Sequence, residues 1–194
     1  MNHNKTEIIF LLDRSGSMAG LEEETIGGFN RLIEKQCRPE GETEITAILF
    51  DDQYEVVWTG KNAREARLSD KEYFVRGCTA LLDAIGKAIV DTGRRLAMTD
   101  ESERPDKVIF IVTTDGMENA STEFTYPKIK ELIKHQQEKY SWEFIFMGAN
   151  IDAVKEADSI GISVDNAYNF EASSHGVEEM YAVMCEAVAE KREK

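Results

Sequence analysis

Three short and almost entirely apolar runs constrain the fold of this chain most strongly. They are IIFLL at 8–12, VIFIV at 108–112 and FIFMG at 144–148, and ITAILF at 45–50 has the same character. Runs of about five residues that are rich in β-branched and aromatic side chains are typical of strands covered on both faces. Strands buried in this way belong to a mostly parallel sheet with helices on each side. The chain is therefore predicted to be an α/β protein.

The remaining segments alternate with these strands in a regular order. YEVVW at 54–58 follows a short turn, which predicts a hairpin with an antiparallel edge strand, and AYNF at 167–170 predicts a last strand. Apolar residues at three- and four-residue spacings predict helices in between. Five helices are expected: over 21–37, from about 81, from near Pro127, from Asn150 or Asp152 to Gly161, and after a cap at Ser173 or Ser174.

This order of elements predicts an open, mostly parallel sheet with helices on both faces. In such a sheet a ligand site is expected at the carboxyl ends of the strands, near the point where the strand order reverses. A length of 194 residues suits one sizeable hydrophobic core, so 1–194 is predicted to be a single domain. The segment 60–77 is predicted to be irregular.

The charge of the chain argues against several classes of partner, and its cysteines argue against disulfides and a zinc site. The chain has 23 Lys and Arg against 37 Asp and Glu, and its net charge of −14 repels DNA, RNA and anionic membrane surfaces. The three cysteines are widely spaced and show neither a disulfide framework nor the spacing of a zinc site. The apolar run at 8–12 is too short for a signal peptide or a membrane span. A cytoplasmic protein without nucleic-acid or membrane partners is expected.

Polar side chains gather where the predicted strands end. Asp13 directly follows IIFLL, with Ser15 and Ser17 in the next loop, and Asp115 follows VIFIV after two threonines. Thr79 occupies a comparable place just before the second predicted helix. Alternate residues of an extended loop point the same way, so the oxygens of Asp13, Ser15 and Ser17 are expected to face one side. Arg14 and Gly16 are expected to face away from it.

Two carboxylates and three hydroxyls form a set of hard oxygen ligands. Such a set suits a divalent cation that prefers octahedral coordination, which indicates Mg²⁺ or Mn²⁺. Two aspartates approximately cancel the charge of the metal, so the ion stays electrophilic and has room for a carboxylate from outside. The candidate metal ligands are Asp13, Ser15, Ser17, Thr79 and Asp115.

Ordinary structural roles remain open for each of these residues. Asp13 with its two serines could cap a helix, and Thr79 could cap the second helix while also binding a metal. Asp115 could be a turn residue, because Asp-Gly is a common turn dipeptide. A tight hairpin turn would explain the two aspartates at 51–52, which lie at another predicted strand end. Asp83, on the second helix, is expected either to face solvent or to support the site by a hydrogen bond.

These motifs resemble the metal-ion-dependent adhesion site (MIDAS) of the von Willebrand factor A (vWA) domain. The family pattern is D-x-S-x-S, then a distant Thr, then a distant Asp, and it matches DRSGS at 13–17, Thr79 and TDG at 114–116. The resemblance covers the whole chain and implies a three-layer, Rossmann-like fold with one antiparallel edge strand. It also implies Mg²⁺ or Mn²⁺ bound by Ser15, Ser17 and Thr79, with the two aspartates close by. Small intracellular members of the bacterial type are the most similar in organisation.

The resemblance implies a protein-binding module without catalytic activity, in which an Asp or Glu of another protein completes the coordination of the metal. The alternative from another class is a Mg²⁺-dependent phosphohydrolase of the haloacid dehalogenase type, which also begins with an Asp at a strand end. That chemistry needs a second Asp two residues later as general acid and base, and this chain has Ser15 there. No GxGxxG follows the first strand, and no GxxxxGK[ST] is present, so nucleotide binding is not indicated.

Overall fold

The computed structural model describes residues 4–194; residues 1–3, part of the polar N-terminal segment, lie outside the described residues. The strands are β1 (Lys5–Asp13), β2 (Glu42–Phe50), β3 (Tyr54–Asn62), β4 (Lys107–Thr114), β5 (Glu143–Gly148) and β6 (Ala167–Asn169). The helices are α1 (Glu22–Gln36), α2 (Leu81–Met98), α3 (Tyr126–Tyr140), α4 (Ala153–Ile160) and α5 (Ser174–Glu193). Short 3-10 turns lie at Gly16–Met18, Glu101–Glu103 and Val164–Asn166.

The strands form one sheet in the order β3-β2-β1-β4-β5-β6, and only β3 is antiparallel to its neighbour. This confirms the predicted α/β fold with an antiparallel edge strand. The chain proceeds to one side of β1 through β2 and β3, and then crosses to its other side with β4. The strand order therefore reverses between β1 and β4, and a ligand site is expected at the carboxyl ends of these two strands.

Alternate residues of β1 face two separate apolar layers, as expected for a strand that is covered on both sides. Ile8 and Phe10 pack against α1 and α5 in one layer. Ile9 and Leu11 pack against α2, α3 and α4 in the other. Among the described residues, no helix combines the length and the apolar character needed to cross a membrane.

Side-chain caps resolve the alternatives at the helix ends. Asp152, not Asn150, caps α4 by accepting from the Lys155 N–H, and the left-handed Gly161 ends that helix. Ser173 caps α5 by accepting from the Gly176 N–H. Pro127 lies in the first turn of α3 as predicted.

The irregular segment begins later than the sequence suggests, because β3 continues through TGKN to Asn62. The strand was predicted over 54–58 and the irregular segment over 60–77. Instead, a β-bulge near Thr46 shifts the register between β2 and β3, and Gly60 takes a left-handed conformation with φ of 57°. The Thr46 hydroxyl accepts from the Gly60 N–H at 3.0 Å. A side-chain acceptor thus keeps the hairpin paired across the irregularity.

Candidate metal centre

The five predicted ligands lie on three loops at the carboxyl end of the sheet. Asp13 is the last residue of β1, Ser15 and Ser17 follow it, and Ser17 belongs to the first 3-10 turn. Thr79 lies two positions before α2, and Asp115 directly follows β4. Asp13, Ser15, Thr79 and Asp115 are buried, whereas Ser17 is exposed. The cluster therefore extends from the edge of the sheet to solvent, which leaves a path for a ligand.

Asp13 joins the first loop to β4 through its carboxylate. Its Oδ1 accepts from the Ser15 N–H at 2.7 Å. Its Oδ2 accepts from the Thr114 hydroxyl at 2.8 Å and from the Asp115 N–H at 3.3 Å. The carboxylate is thereby held in one orientation at the carboxyl ends of β1 and β4.

The hydroxyls continue this network toward Asp115 and Thr79. Ser15 Oγ and Ser17 Oγ lie 3.1 Å apart, and Ser17 Oγ donates to Asp115 Oδ1 at 2.5 Å. Thr79 Oγ1 and Ser17 Oγ both flank Gly116, at 3.8 and 3.9 Å from the position that a Cβ would occupy there. The structure thus brings all five residues together, while their role as metal ligands stays a prediction.

The two carboxylates are buried without a compensating positive charge. Asp13 and Asp115 are each 1% exposed, and neither forms an ion pair within residues 4–194. Burial raises the pKa of Asp13 although hydrogen bonds from Ser15, Thr114 and Asp115 oppose the shift. The pKa of Asp115 is also raised, first by burial and further by the negative charge of Asp13, against the hydrogen bond from Ser17.

A divalent cation fits this arrangement. Asp115 Oδ2 is buried and has no hydrogen-bond partner, an arrangement that is costly unless another ligand completes it. Among residues 4–194, no group of three or more His, Cys, Asp and Glu side chains is arranged to hold a metal ion. Carboxylates combined with hydroxyls favour a hard cation such as Mg²⁺ or Mn²⁺.

Helix capping does not explain the cluster. Helix α1 begins at Glu22, and Leu21 at its cap position provides no side-chain bond, so DRSGS is not its cap. The prediction that Thr79 caps α2 is wrong, because the cap position is Ala80. Glu118 Oε2 from the third loop accepts from the Leu82 N–H at 2.8 Å and satisfies the first turn of α2 in its place.

The third loop is joined to α2 by Asn119, which the sequence did not single out, and by Asp83, which it did. The Asn119 side chain accepts from the Thr79 N–H at 2.9 Å, and its own N–H donates to the Thr79 carbonyl. Asp83 accepts from three successive N–H groups, at 122, 123 and 124. Its partial burial would raise its pKa, but these three donors lower it on balance. Asp83 is therefore a support of the site, one of its two expected roles.

Two further side chains brace the backbone of the aspartates. The buried Tyr73 hydroxyl donates to the Asp13 carbonyl at 2.8 Å. Asn150, in a left-handed conformation with φ of 57°, donates from Nδ2 to the Asp115 carbonyl at 3.2 Å. The sequence singled out Asn150 only as a candidate cap of α4, and no periodicity or spacing marks Tyr73. The loops that carry Asp13 and Asp115 are thus held through their backbone carbonyls as well as through their side chains.

Comparison with known proteins identifies the fold. No protein-family model and no curated protein matches the chain. Proximal thread matrix protein 1 from the mussel byssus superposes with a TM-score of 0.62 and 16% identity over 95% of this chain and 46% of that one. A structure of the same mussel protein, with a zinc-occupied MIDAS motif, gives 0.62 and 17% over 93% of this chain and 46% of that one.

Two other solved structures give similar values. The ArnB paralog VWA2 from Sulfolobus acidocaldarius has a TM-score of 0.61 and 16% identity over 94% of this chain and 44% of that one. The pilus adhesin SpaC from Lactobacillus rhamnosus GG, in an open conformation, has a TM-score of 0.66 and 16% identity over 97% of this chain and 30% of that one. The chain spans less than half the length of each of these proteins. The likeness at this identity is one of fold, and the chain has a vWA-like fold, as its motif predicts.

Proposed function

We propose that this chain is a metal-dependent protein-binding module. Its candidate ligands for Mg²⁺ or Mn²⁺ are Asp13, Ser15, Ser17, Thr79 and Asp115. The observation that carries the proposal is the pair of buried carboxylates, Asp13 and Asp115, which have no positively charged partner among residues 4–194. Support comes also from the mussel protein of the same fold, whose MIDAS motif holds zinc.

The five candidate ligands have different roles, which follow from their charge and position. Asp13 orients Ser15 and links the first and third loops, while Ser17, the one exposed member of the set, donates to the buried Asp115. Two aspartates balance a divalent charge, so no further acid of this chain is needed. A bound cation supplies a Lewis-acidic position for an Asp or Glu of a partner protein. The net charge of −14 slows the approach of an acidic partner, but screening beyond about 8 Å at physiological salt limits this effect.

A binding role without catalysis is part of the proposal. The phosphohydrolase alternative needs a carboxylic acid at position 15, and the hydroxyl there is engaged with Ser17 Oγ at 3.1 Å. A cytoplasmic location is proposed as well, because Cys37, Cys78 and Cys185 are all free thiols, as is usual in a reducing compartment.

Isothermal titration of the chelator-treated protein with Mn²⁺ and Mg²⁺ tests the proposal. We expect one site in the wild type, no binding heat in Asp13→Ala and weakened binding in Thr79→Ala. Asp106→Ala is the matched control, because it removes a carboxylate that accepts from the Lys5 N–H at the opposite end of the sheet. Wild-type heat equal to that of Asp13→Ala would reject the proposal.

Two further assays separate the binding module from the enzyme and identify the partner. Steady Mg²⁺-dependent hydrolysis of a generic phosphoester, lost in Asp13→Asn, would favour the phosphohydrolase; we expect none. Affinity capture from cell extract is compared with Mg²⁺, with chelator and with Asp13→Ala. A protein retained only by the wild type with Mg²⁺ would be the partner that supplies the carboxylate.

A further inference from the structure

Arg14 lies between two candidate metal ligands, yet its side chain turns away from them into the protein. The guanidinium is fully buried and is the largest fully buried side chain of the described residues. Its Nη1 donates to Glu55 Oε2 at 2.7 Å, and its Nε lies 3.3 Å from Asp51 Oδ2. A buried arginine is costly unless it is paired. These two acids of the β2–β3 hairpin therefore hold the side chain of Arg14, while its backbone N–H donates to the Phe50 carbonyl at 2.9 Å.

Asp51 also connects this arginine to the loop that carries Thr79. Its Oδ2 accepts from Arg76 Nε at 2.7 Å, and its carbonyl accepts from the Ala80 N–H at 2.8 Å. Its Oδ1 accepts from the Gln53 N–H at 2.6 Å, so the predicted hairpin turn is present as well. Asp51 thus contacts the loop before α2 on each side of Thr79, through its buried carboxylate at Arg76 and through its backbone carbonyl at Ala80.

The backbones of the two loops are in direct contact beside these charges. The Arg76 N–H donates to the Arg14 carbonyl at 2.8 Å, and the Gly16 N–H donates to the Gly77 carbonyl at 3.2 Å. Gly77 has a φ of 70°, and a Cβ there would lie only 2.1 Å from Asp52 Oδ1. Only glycine permits this approach of the loop to the hairpin.

Phe74 lies beside both arginines of this network. Its ring lies between the two guanidinium groups, 5.5 Å from Arg14 and 5.6 Å from Arg76. Both distances are within the range of cation–π attraction. The Phe74 ring thus lies beside both of the arginines that pair with Asp51.

We infer that Arg14, Asp51, Glu55 and Arg76, here called the arginine clamp, position the first and second metal-binding loops relative to each other. This inference rests on the proposed function. The clamp contacts no candidate ligand side chain, but it holds the backbone at 14, 76 and 80 and so determines how close Ser15 and Ser17 come to Thr79. Its charges thereby raise the affinity for the metal without coordinating it.

The other end of the sheet offers a matched control for two members of the clamp, Asp51 and Arg76. Glu7 is fully buried like Asp51, and it accepts from the Thr46 hydroxyl at 2.6 Å and from Arg95 Nη2. The side chains of Arg76 and Arg95 are 41% and 30% exposed, and each pairs with a fully buried carboxylate. Changes at this second pair alter stability without touching the metal-binding loops.

The test measures Mn²⁺ affinity and the urea midpoint of Asp51→Asn and Arg76→Met beside Glu7→Gln and Arg95→Met. We expect the affinity to fall about tenfold in the clamp variants, the usual size for residues that orient metal ligands. We expect the controls to stay within about twofold of the wild type while losing similar stability. Arg76→Lys, which can keep an ion pair with Asp51, should recover most of the affinity.

Several outcomes would overturn the inference. Unchanged Mn²⁺ affinity in Arg76→Met would do so, as would an equal loss in Arg95→Met, which would make the effect one of stability alone. Arg76→Met decides alone if Asp51→Asn does not fold, because its partly exposed side chain can be removed at lower cost. A wild-type protein that binds no Mn²⁺ would reject the proposed function itself, which distinguishes the two failures.

Discussion

Glu7 and Asp13 lie near opposite ends of β1 and both are buried, but only Glu7 has a positively charged partner among residues 4–194. Arg95 pairs with Glu7, and one oxygen of that carboxylate is left without a hydrogen bond. Asp13 and Asp115 have only neutral donors. The nearest arginine in sequence, Arg14, is directed to Asp51 instead. The charge of Glu7 is balanced within the fold, whereas Asp13 and Asp115 have no positively charged partner among residues 4–194, and we propose that a metal cation supplies that charge.

The largest effect that this comparison predicts is at Glu7. Glu7→Gln should lower the free energy of unfolding by about 2 kcal/mol, because it leaves the Arg95 charge without its partner in a largely buried position. The partial exposure of Arg95 keeps the loss below that of a fully buried pair. Urea unfolding should give the same loss in chelator and in Mn²⁺. A loss that depends on the metal would show that the two ends of the sheet are not independent.

A smaller effect of opposite sign is expected at Asp115. Asp115→Asn removes one of two close negative charges and keeps an acceptor for Ser17, so the metal-free protein should gain about 1 kcal/mol. The same variant should lose the stabilisation that saturating Mn²⁺ gives to the wild type. Paired urea unfolding curves in chelator and in Mn²⁺ measure both. Destabilisation of Asp115→Asn in chelator would contradict the view that this end of the sheet lacks a cation.

The smallest effect is a pH dependence of that gain. The folded-state pKa of Asp115 is raised, so the folded protein takes up its proton at a higher pH than the unfolded chain. In chelator the wild type should therefore recover stability relative to Asp115→Asn as the pH falls from 7 toward 4. Asp83→Asn is the control of opposite sign, because the pKa of Asp83 is lowered and its stabilising contribution disappears only below about pH 4. If the difference in the free energy of unfolding between the wild type and Asp115→Asn is constant with pH, a charge effect at this site is excluded.

The sequence predicted the sheet because its strands are short, apolar and bounded by turn residues. It misplaced the end of β3, since the apolar run ends at Trp58 and the acceptor that accommodates Gly60 lies on another strand, at Thr46. The helix caps were predicted to within two residues, and only the hydrogen bonds distinguish Asp152 from Asn150.

The five candidate ligands were predictable because each follows a strand or precedes a helix at the same edge of the sheet. The clamp was not, because its ion pairs join residues that are 25, 37 and 41 positions apart. Nothing local tells which of several acids a given arginine will meet. The alternation along DRSGS did predict that Arg14 faces away from the site, but not what it faces.

The hydrogen bonds that hold Asp13 to Thr114 and Asp115 join residues that are 101 and 102 positions apart. At about 5 to 20 residues per second, a ribosome adds that length in roughly 5 to 20 s. During this interval β1 can pair with β2, while its other edge waits for β4. That edge carries IIFLL, a segment prone to pair with other chains when exposed. Of the strands that are finally paired on both sides, the one that bears Asp13 therefore waits longest for its second partner during synthesis.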